Sequence, residues 1–452
     1  MSYLAIAATR RIQYYLSHKK SFNLAIIVGL CSVIPSIQSA DFKVIHAGEL
    51  LSIAGKKTTK QQSILIKDGQ ISAINSGYIE LPSSQITEAD TLEYIDLKDS
   101  FVMAGLMDMH VHLQGELGPN NDSEALRMSD ADVAMKSAYF ANKTLLAGFT
   151  TVRDLGAKPE QIYALRDAVN KGWLAGPRII ASGGVSVTGG HGDVDGKSPD
   201  LLDMLTSKTI CDGPFDCRRA TRRAIKYGAD VIKITSTGGV LSDTNTGTGQ
   251  QMANDELKEV IDAAHALGRK VASHAHAAEG INAALRAGVD SIEHGSYANK
   301  ESIKLFKKSG AYLVPTLLAG DTVVQMAKGD GNFMSEAIKA KAIRVGHDMQ
   351  NNFGNAYKAG VNIAFGTDSG VSRHGDNAKE AVLMSQAGMS NQDILVSATI
   401  NAADLIDMSD TLGTLAQGKH ADIIAMKASP LESIDALLDI HFVMKSGKVH
   451  KQ

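Results

Sequence analysis

Only three cysteines occur among the 452 residues, alongside nine prolines, one tryptophan and 5% aromatic residues. So few cysteines cannot staple a chain of this length, which excludes a disulfide scaffold. The 42 glycines far outnumber the prolines, and with 44% hydrophobic residues this composition fits many tight strand-to-helix turns and excludes disorder for the bulk of the chain. No charge of one sign dominates: 46 basic and 49 acidic side chains leave a net charge of −3. A phosphate backbone would find no electrostatic footprint, so no nucleic-acid partner is expected. At roughly 150 residues per domain the length suggests about three domains, although one α/β barrel can absorb about 250 residues.

The amino terminus also lacks an apolar run of membrane-spanning length. The apolar stretch Phe22 to Ile34 holds about 13 residues against the ~20 a span needs, and Pro35 follows it. Arg10, Arg11, Lys19 and Lys20 precede it and Ser36 to Ala40 supply small residues, which is the order of a secretory signal. Residues 1–40 are therefore expected to direct export to the periplasm, with cleavage after Ala40 and no stable anchor. An amino-terminal anchor is the alternative. Cys31 would leave with this segment. Cys211 and Cys217 remain, in Cys-Asp-Gly-Pro-Phe-Asp-Cys, where an oxidising compartment favours a disulfide closing a short loop; two unrelated thiols are the other reading. A zinc knuckle needs more ligands than these.

From Val44 to Tyr94 apolar and polar residues alternate between turns, and Lys67-Asp68-Gly69-Gln70 reads as a hairpin turn. The last fifty residues alternate likewise, so residues 41–103 and 406–452 are expected to build one small composite β-sandwich from both chain ends. Between them, over 104–405, an imperfect repeat recurs: a helix tail, a glycine, then a short strand ending in a chemically capable side chain. Gly148 leads to Asp154, Gly228 to Lys233, Gly268 to His274, Gly288 to His294 and Gly360 to Asp368. Each glycine suits the left-handed position that stops a helix. One helix is expected to start on Asn254 as its cap and to bury Leu257, Val260, Ile261, Ala264 and Leu267. Strands such as Val231-Ile232-Lys233-Ile234 are nearly continuous apolar runs, as in a parallel sheet buried on both faces. A (β/α)8 TIM-like barrel fits, with its active site at the carboxyl ends of the strands. An open doubly wound sheet fits less well, because no glycine-rich dinucleotide fingerprint opens any unit.

His110 and His112 stand two apart on a strand, so both imidazoles face one side and can clasp a metal ion. His274 and His276 do the same; His294 and Asp368 end two further strands. Lys233 sits inside an apolar strand, where an ammonium is costly and tends to lose its proton. A neutral amine can add carbon dioxide to give a carbamate, an anionic ligand able to bridge two metals. A lysine snorkelling out at the strand end is the alternative. Four imidazoles and two anionic oxygens would suit a pair of zinc ions. Asp154 also ends a strand, where an ion pair with Arg153 and the following loop competes with catalysis.

These residues resemble the metal-dependent amidohydrolase superfamily: a His-X-His, then Lys, His, His and Asp at successive strand ends, with the closing phrase Gly413-Thr414-Leu415-Ala416-Gln417-Gly418-Lys419-His420-Ala421-Asp422. Ala229 to Ile234, Ser273-His274-Ala275-His276 and Thr188-Gly189-Gly190-His191-Gly192 look like its Xaa-Pro dipeptidase and ochratoxinase-like branch. The resemblance implies hydrolysis of the amide bond in dipeptides or N-acyl amino acids by a metal-bridging hydroxide, and a homo-oligomer. It implies that His110, His112 and Asp368 hold one zinc, that His274 and His294 hold the other, and that N6-carboxylated Lys233 bridges them. Asp368 would also shuttle the proton. His276 and His191 would polarise the scissile carbonyl or its oxyanion, or pack behind the ligands. Several members have Gln-Tyr where this chain has Gln251-Met252, which removes a plausible substrate contact. A cyclic-amide hydrolase or deaminase, imidazolonepropionase-like, is the rival enzyme reading. A barrel that has lost catalysis is the rival of another class, although all six ligand positions are filled here.

Overall fold

The structure, a computed structural model, describes residues 39–242, 247–329 and 333–452. Cys31 and all but the last two residues of the expected export signal lie outside them. Four strands come first: β1 (Asp41–Leu51), β2 (Thr59–Lys67), β3 (Gln70–Ser76) and β4 (Thr91–Ala104). Eight follow between helices: β5 (Leu106–Val111), β6 (Phe149–Asp154), β7 (Arg178–Val185), β8 (Val231–Thr235), β9 (Val271–Ala275), β10 (Ser291–His294), β11 (Tyr312–Val314) and β12 (Asn362–Ile363). Three close the chain: β13 (Ile423–Met426), β14 (Ile440–Lys445) and β15 (Lys448–Lys451).

The two chain ends share a sheet, as their alternation suggests, but not as a sandwich of two separate sheets. All seven terminal strands form a single sheet in the order β15-β14-β13-β4-β1-β2-β3. It folds over its own core of Ile45, Ile64, Ile66, Ile95, Ile423 and Phe442, because its β2–β3 hairpin reaches round to the C-terminal segment. The Ala421 N–H donates to Gly69 O at 2.9 Å and Ile71 N–H to Lys419 O at 2.9 Å. Asp68 and Gly69 both have positive φ, 49° and 80°, as a two-residue hairpin turn requires.

Strands β5 to β12 lie side by side in chain order, each parallel to the next. Five of them, β5, β6, β8, β9 and β10, are buried along their whole length, as the apolar runs predict. The sheet curls until its edges meet. Met109 N–H donates to Phe365 O at 2.8 Å, Asp368 N–H to His110 O at 2.7 Å and His112 N–H to Ser369 O at 2.7 Å. This is the arrangement of a TIM-like barrel. All five predicted glycine stops have φ between +66° and +116°. Gly105 joins β4 to β5, and a Cβ there would come within 2.3 Å of Thr150 Oγ1, so only glycine lets the terminal sheet run straight into the barrel. Residues 40–452 accordingly pack as one body.

The helix Asn254–His265 buries the expected Leu257, Val260, Ile261 and Ala264, whereas Leu267 lies beyond its end and is exposed. Its cap is Ala253, not Asn254. The side-chain Oδ1 of Asn254 accepts from Gln250 Nε2 at 3.0 Å, and Glu256 instead accepts the Ala253 N–H at 2.8 Å. Cys211 and Cys217 stand bonded, with Cα atoms 4.9 Å apart, where the chain turns from the pocket-lining Ile210 into the helix Pro214–Lys226. No helix of the described residues is long and apolar enough to cross a membrane.

Candidate metal centre and its cavity

The barrel places the histidines at one end. His110 is in β5 and His112 follows it; His274 is in β9 and His276 follows it; His294 ends β10, and Asp368 lies in the loop after β12. His294 and Asp368 have φ of 70° and 58°, a conformation that non-glycine residues adopt at a cost, so packing must hold both in place.

Two groups of side chains have ligand atoms close enough for one ion each: His110, His294 and Asp368, and His274, His276 and His294. His294 belongs to both. The His112 Nε2 lies 2.8 Å from Asp368 Oδ1, and His110 Nε2 lies 3.5 Å from the same oxygen. Yet Oδ1 is a buried atom with no hydrogen bond of acceptable geometry. A carboxylate oxygen faced by two imidazole nitrogens, with no well-directed proton between them, fits a bound divalent cation.

The outward nitrogens are engaged. His110 Nδ1 is 2.9 Å from Glu293 Oε2, His112 Nδ1 3.2 Å from Gly156 O and His294 Nδ1 2.6 Å from Thr316 Oγ1. With the proton on that side, each Nε2 keeps its lone pair for a metal. His274 is turned the other way, its Nε2 3.4 Å from Gly238 O, which leaves Nδ1. Burial pushes His110 down to about 4, and His274 and His294 lie well below the usual imidazole range for the same reason. These are neutral nitrogen donors at pH 7, the form that binds metal. The Lys233 amine is buried in β8 and lines the same cavity; burial pushes it down to about 8 against the pull of Glu293 and Asp368. The donor set therefore fits divalent metal.

His191 and His276 also line the cavity. His276 Nδ1 is 2.7 Å from Ser296 Oγ, and His191 Nδ1 is 2.5 Å from Ser242 Oγ. A serine hydroxyl can donate or accept, so these two rings can present either a lone pair or an N–H to the cavity. Burial pushes them down to about 3 and about 4.

Three buried groups escaped the sequence reading. Glu293, beside His294, holds His110 and an arginine; Asp108 accepts Thr367 Oγ1 at 2.6 Å and Asn377 Nδ2 at 2.8 Å, tying β5 to the Asp368 loop. Glu380 takes the Leu317 and Leu318 N–H groups at 2.9 and 2.6 Å, behind Thr316. Asp108, between Met107 and Met109, is an acidic residue in an apolar run, a weak signal that was present; Glu293 before His294 and Glu380 after Lys379 carry no such signal. Asp154 does not pair with Arg153. Adjacent residues of a strand point to opposite sides; Arg153 reaches Glu293, while Asp154 accepts the Leu113 N–H at 2.8 Å and the Gly156 N–H at 3.2 Å. Met252 is wholly buried in the main core, and the side-chain Oε1 of Gln251 accepts the His191 backbone N–H at 2.8 Å.

All eight predicted site residues, His110, His112, His191, Lys233, His274, His276, His294 and Asp368, line one cavity of about 500 Å³. A cluster of side chains able to hold metal, in a cavity of small-molecule size, is the layout of a metal-assisted hydrolase site.

Comparison with known proteins agrees with this layout. Residues 101–450 match the amidohydrolase family. The ochratoxinase of Aspergillus niger is 30% identical over 439 residues, 93% of this chain and 88% of that protein. A crystal structure of an Xaa-Pro dipeptidase with methionine bound in its active site superposes with a TM-score of 0.84 at 40% identity, over 91% of this chain and 100% of that one. A prolidase complexed with N-methylphosphonate-L-proline superposes with a TM-score of 0.81 at 30% identity, over 91% and 100%. With residues 101–450 matching the family and similar proteins covering about nine-tenths of the chain at 30–40% identity, the protein is a hydrolase acting on C–N bonds and belongs to the amidohydrolase family.

Proposed function

We propose that the protein is an exported, homo-oligomeric binuclear zinc hydrolase that cleaves the amide bond of Xaa-Pro-like dipeptides or N-acyl amino acids. The observation that carries this reading is the overlap of two ligand groups at His294 beside the buried Lys233, because a shared residue brings two ions close together. His110, His112 and Asp368 would hold one ion, His274 and His294 the other, and a carbamate on Lys233 would bridge. The ions would supply an activated water and polarise the carbonyl.

The remaining steps fall to the chain. Asp368 takes a proton on one side of the reaction and returns it to the departing amide nitrogen, which leaves poorly unless protonated. His276 and His191, with their serines donating to Nδ1, offer N–H groups to the carbonyl oxygen as negative charge develops. The cavity's apolar lining keeps bulk water from competing. The bound methionine of the similar dipeptidase and the proline phosphonate of the similar prolidase support an amino acid as one product.

Two measurements test the reading. Elemental analysis should find two zinc ions per chain, and one or none would contradict it. A screen of dipeptides and N-acyl amino acids should release free amino acid from some member; a zinc-loaded chain that turns over none would overturn it. Two freely alkylated thiols at Cys211 and Cys217 in unreduced periplasmic protein would count against the exported, oxidised form.

A further inference from the structure

One wall of the cavity carries no hydrogen-bonding side chain. It is built from two helices, Leu317–Lys328 and Glu336–Lys358, which contribute Ala319, Val323, Ala342, Val345 and Met349. Thr316 stands immediately before the first helix, and its hydroxyl is 2.6 Å from His294 Nδ1, so the wall begins beside the histidine cluster. Lys341, next to Ala342, is no exception: its amine donates to Gly239 O at 3.3 Å and Ser242 O at 2.6 Å.

The depth of this wall is fixed by glycine. A Cβ at Gly346 would lie 2.4 Å from Val324 Cγ2 and 3.0 Å from Gly320 O, and a Cβ at Gly320 would lie 2.9 Å from Met349 Sδ. The helices therefore touch along Gly320 and Gly346, and they cannot approach further without a clash or withdraw without losing that contact. Val345 and Met349, flanking or covering the crossing, are held at a set distance.

We infer that this wall is a specificity subsite for a bulky apolar side chain, set by Val323, Ala342, Val345 and Met349, so that the scissile amide joins a residue of the leucine, methionine or phenylalanine class. The inference rests on the amide-hydrolase reading above. A charged or amide side chain placed there would leave water and gain no partner, while an apolar one is favoured in proportion to the area it buries. Glycine at that position would leave the subsite empty.

The test varies the acyl side and the leaving amino acid separately through Gly, Ala, Leu, Met, Phe, Lys and Asp. On one side, kcat/KM for Leu, Met or Phe should exceed that for Gly by at least about 100-fold, with Lys and Asp at or below Gly. Ala342→Phe fills the subsite and should lower the Phe-to-Ala ratio of kcat/KM at least about tenfold. Met349→Ala, which opens it, should raise the ratio of Trp to Leu and serves if the larger residue unfolds the chain. Turnover with no apolar preference on either side, or ratios unmoved by both variants, overturns the subsite and leaves the amide reading intact. If no amide is turned over, that reading fails, and calorimetry with free phenylalanine and glycine decides the subsite. Tighter phenylalanine binding that Ala342→Phe abolishes supports it; equal binding of the two overturns it.

Discussion

Arg153 and Glu293 meet inside the barrel, Nη2 to Oε1 at 2.9 Å, with neither side chain exposed to solvent. Arg153 also donates to Met109 O at 2.7 Å and Ser291 Oγ at 3.1 Å, so three strands are tied by one guanidinium. The other oxygen of Glu293 holds His110 Nδ1. Removing one partner of a buried pair strands the other charge, which costs about 3–5 kcal/mol. Arg153→Ala should lose that much in urea unfolding, and affinity for divalent metal should fall by about 10- to 100-fold as His110 loses its fixed partner. A stability change under about 1 kcal/mol would contradict this account of the pair.

The cavity residues were legible in the sequence through local rules: His110 and His112 share a strand face by the period of two, and Lys233 conflicts with the apolar run around it. The five glycine stops were equally local. Glu293 and Arg153 were not legible as partners, because 140 residues separate them and only barrel curvature brings them together. Glu380 and Thr316 depend on a helix start packed behind the site. Alternation identified the terminal strands and their joining into one β-domain but not that they form a single sheet folded on itself, which depends on contacts such as that between Gly69 and Ala421 at opposite chain ends. Asn254 failed as a cap because Gln250 competes for its side chain, a choice that propensity does not encode.

Lys233 gives the second prediction. If its amine carries a carbamate, Lys233→Ala should lose bound zinc and activity together, and short carboxylic acids should restore part of both by supplying the missing oxygen ligand. Zinc counting and activity with and without acetate check it. An alanine variant that keeps two tightly held ions would rule the carbamate out.

Glu380 predicts a pH dependence in the metal-free chain. Burial pushes its carboxyl up to about 8 from an ordinary 4.5, although the Leu318 and Leu317 N–H groups pull the other way. Between these values the folded chain holds a proton that the unfolded chain releases. Its stabilising contribution is therefore complete below pH 4.5 and is lost as pH rises towards about 8, by at most ~1.4 kcal/mol per pH unit. Glu380→Gln should flatten that slope in urea unfolding between pH 5 and 8. Equal slopes in the two proteins would show that Glu380 is ionised throughout.

Asp368 separates a ligand from a proton carrier. Burial would raise its carboxyl, but the neighbouring His110, His112 and His294 outweigh burial and hold it far below the usual range. A carboxylate so firmly ionised suits a cation ligand. To carry a proton as well, it must exchange one with the reacting groups, and its end-of-barrel position beside His110 and His112 allows that reach. Asp368→Asn keeps the shape and an oxygen ligand but removes the base. As a shuttle, Asp368 accounts for ~10²–10⁴ in rate, so kcat should fall by that factor while zinc content falls less. As a ligand alone, its loss should make activity track zinc content and recover when zinc is added. Rate and zinc content measured on the same preparations distinguish the two, and an Asp368→Asn enzyme with two ions bound and kcat within about threefold of the parent would exclude the proton-carrying role.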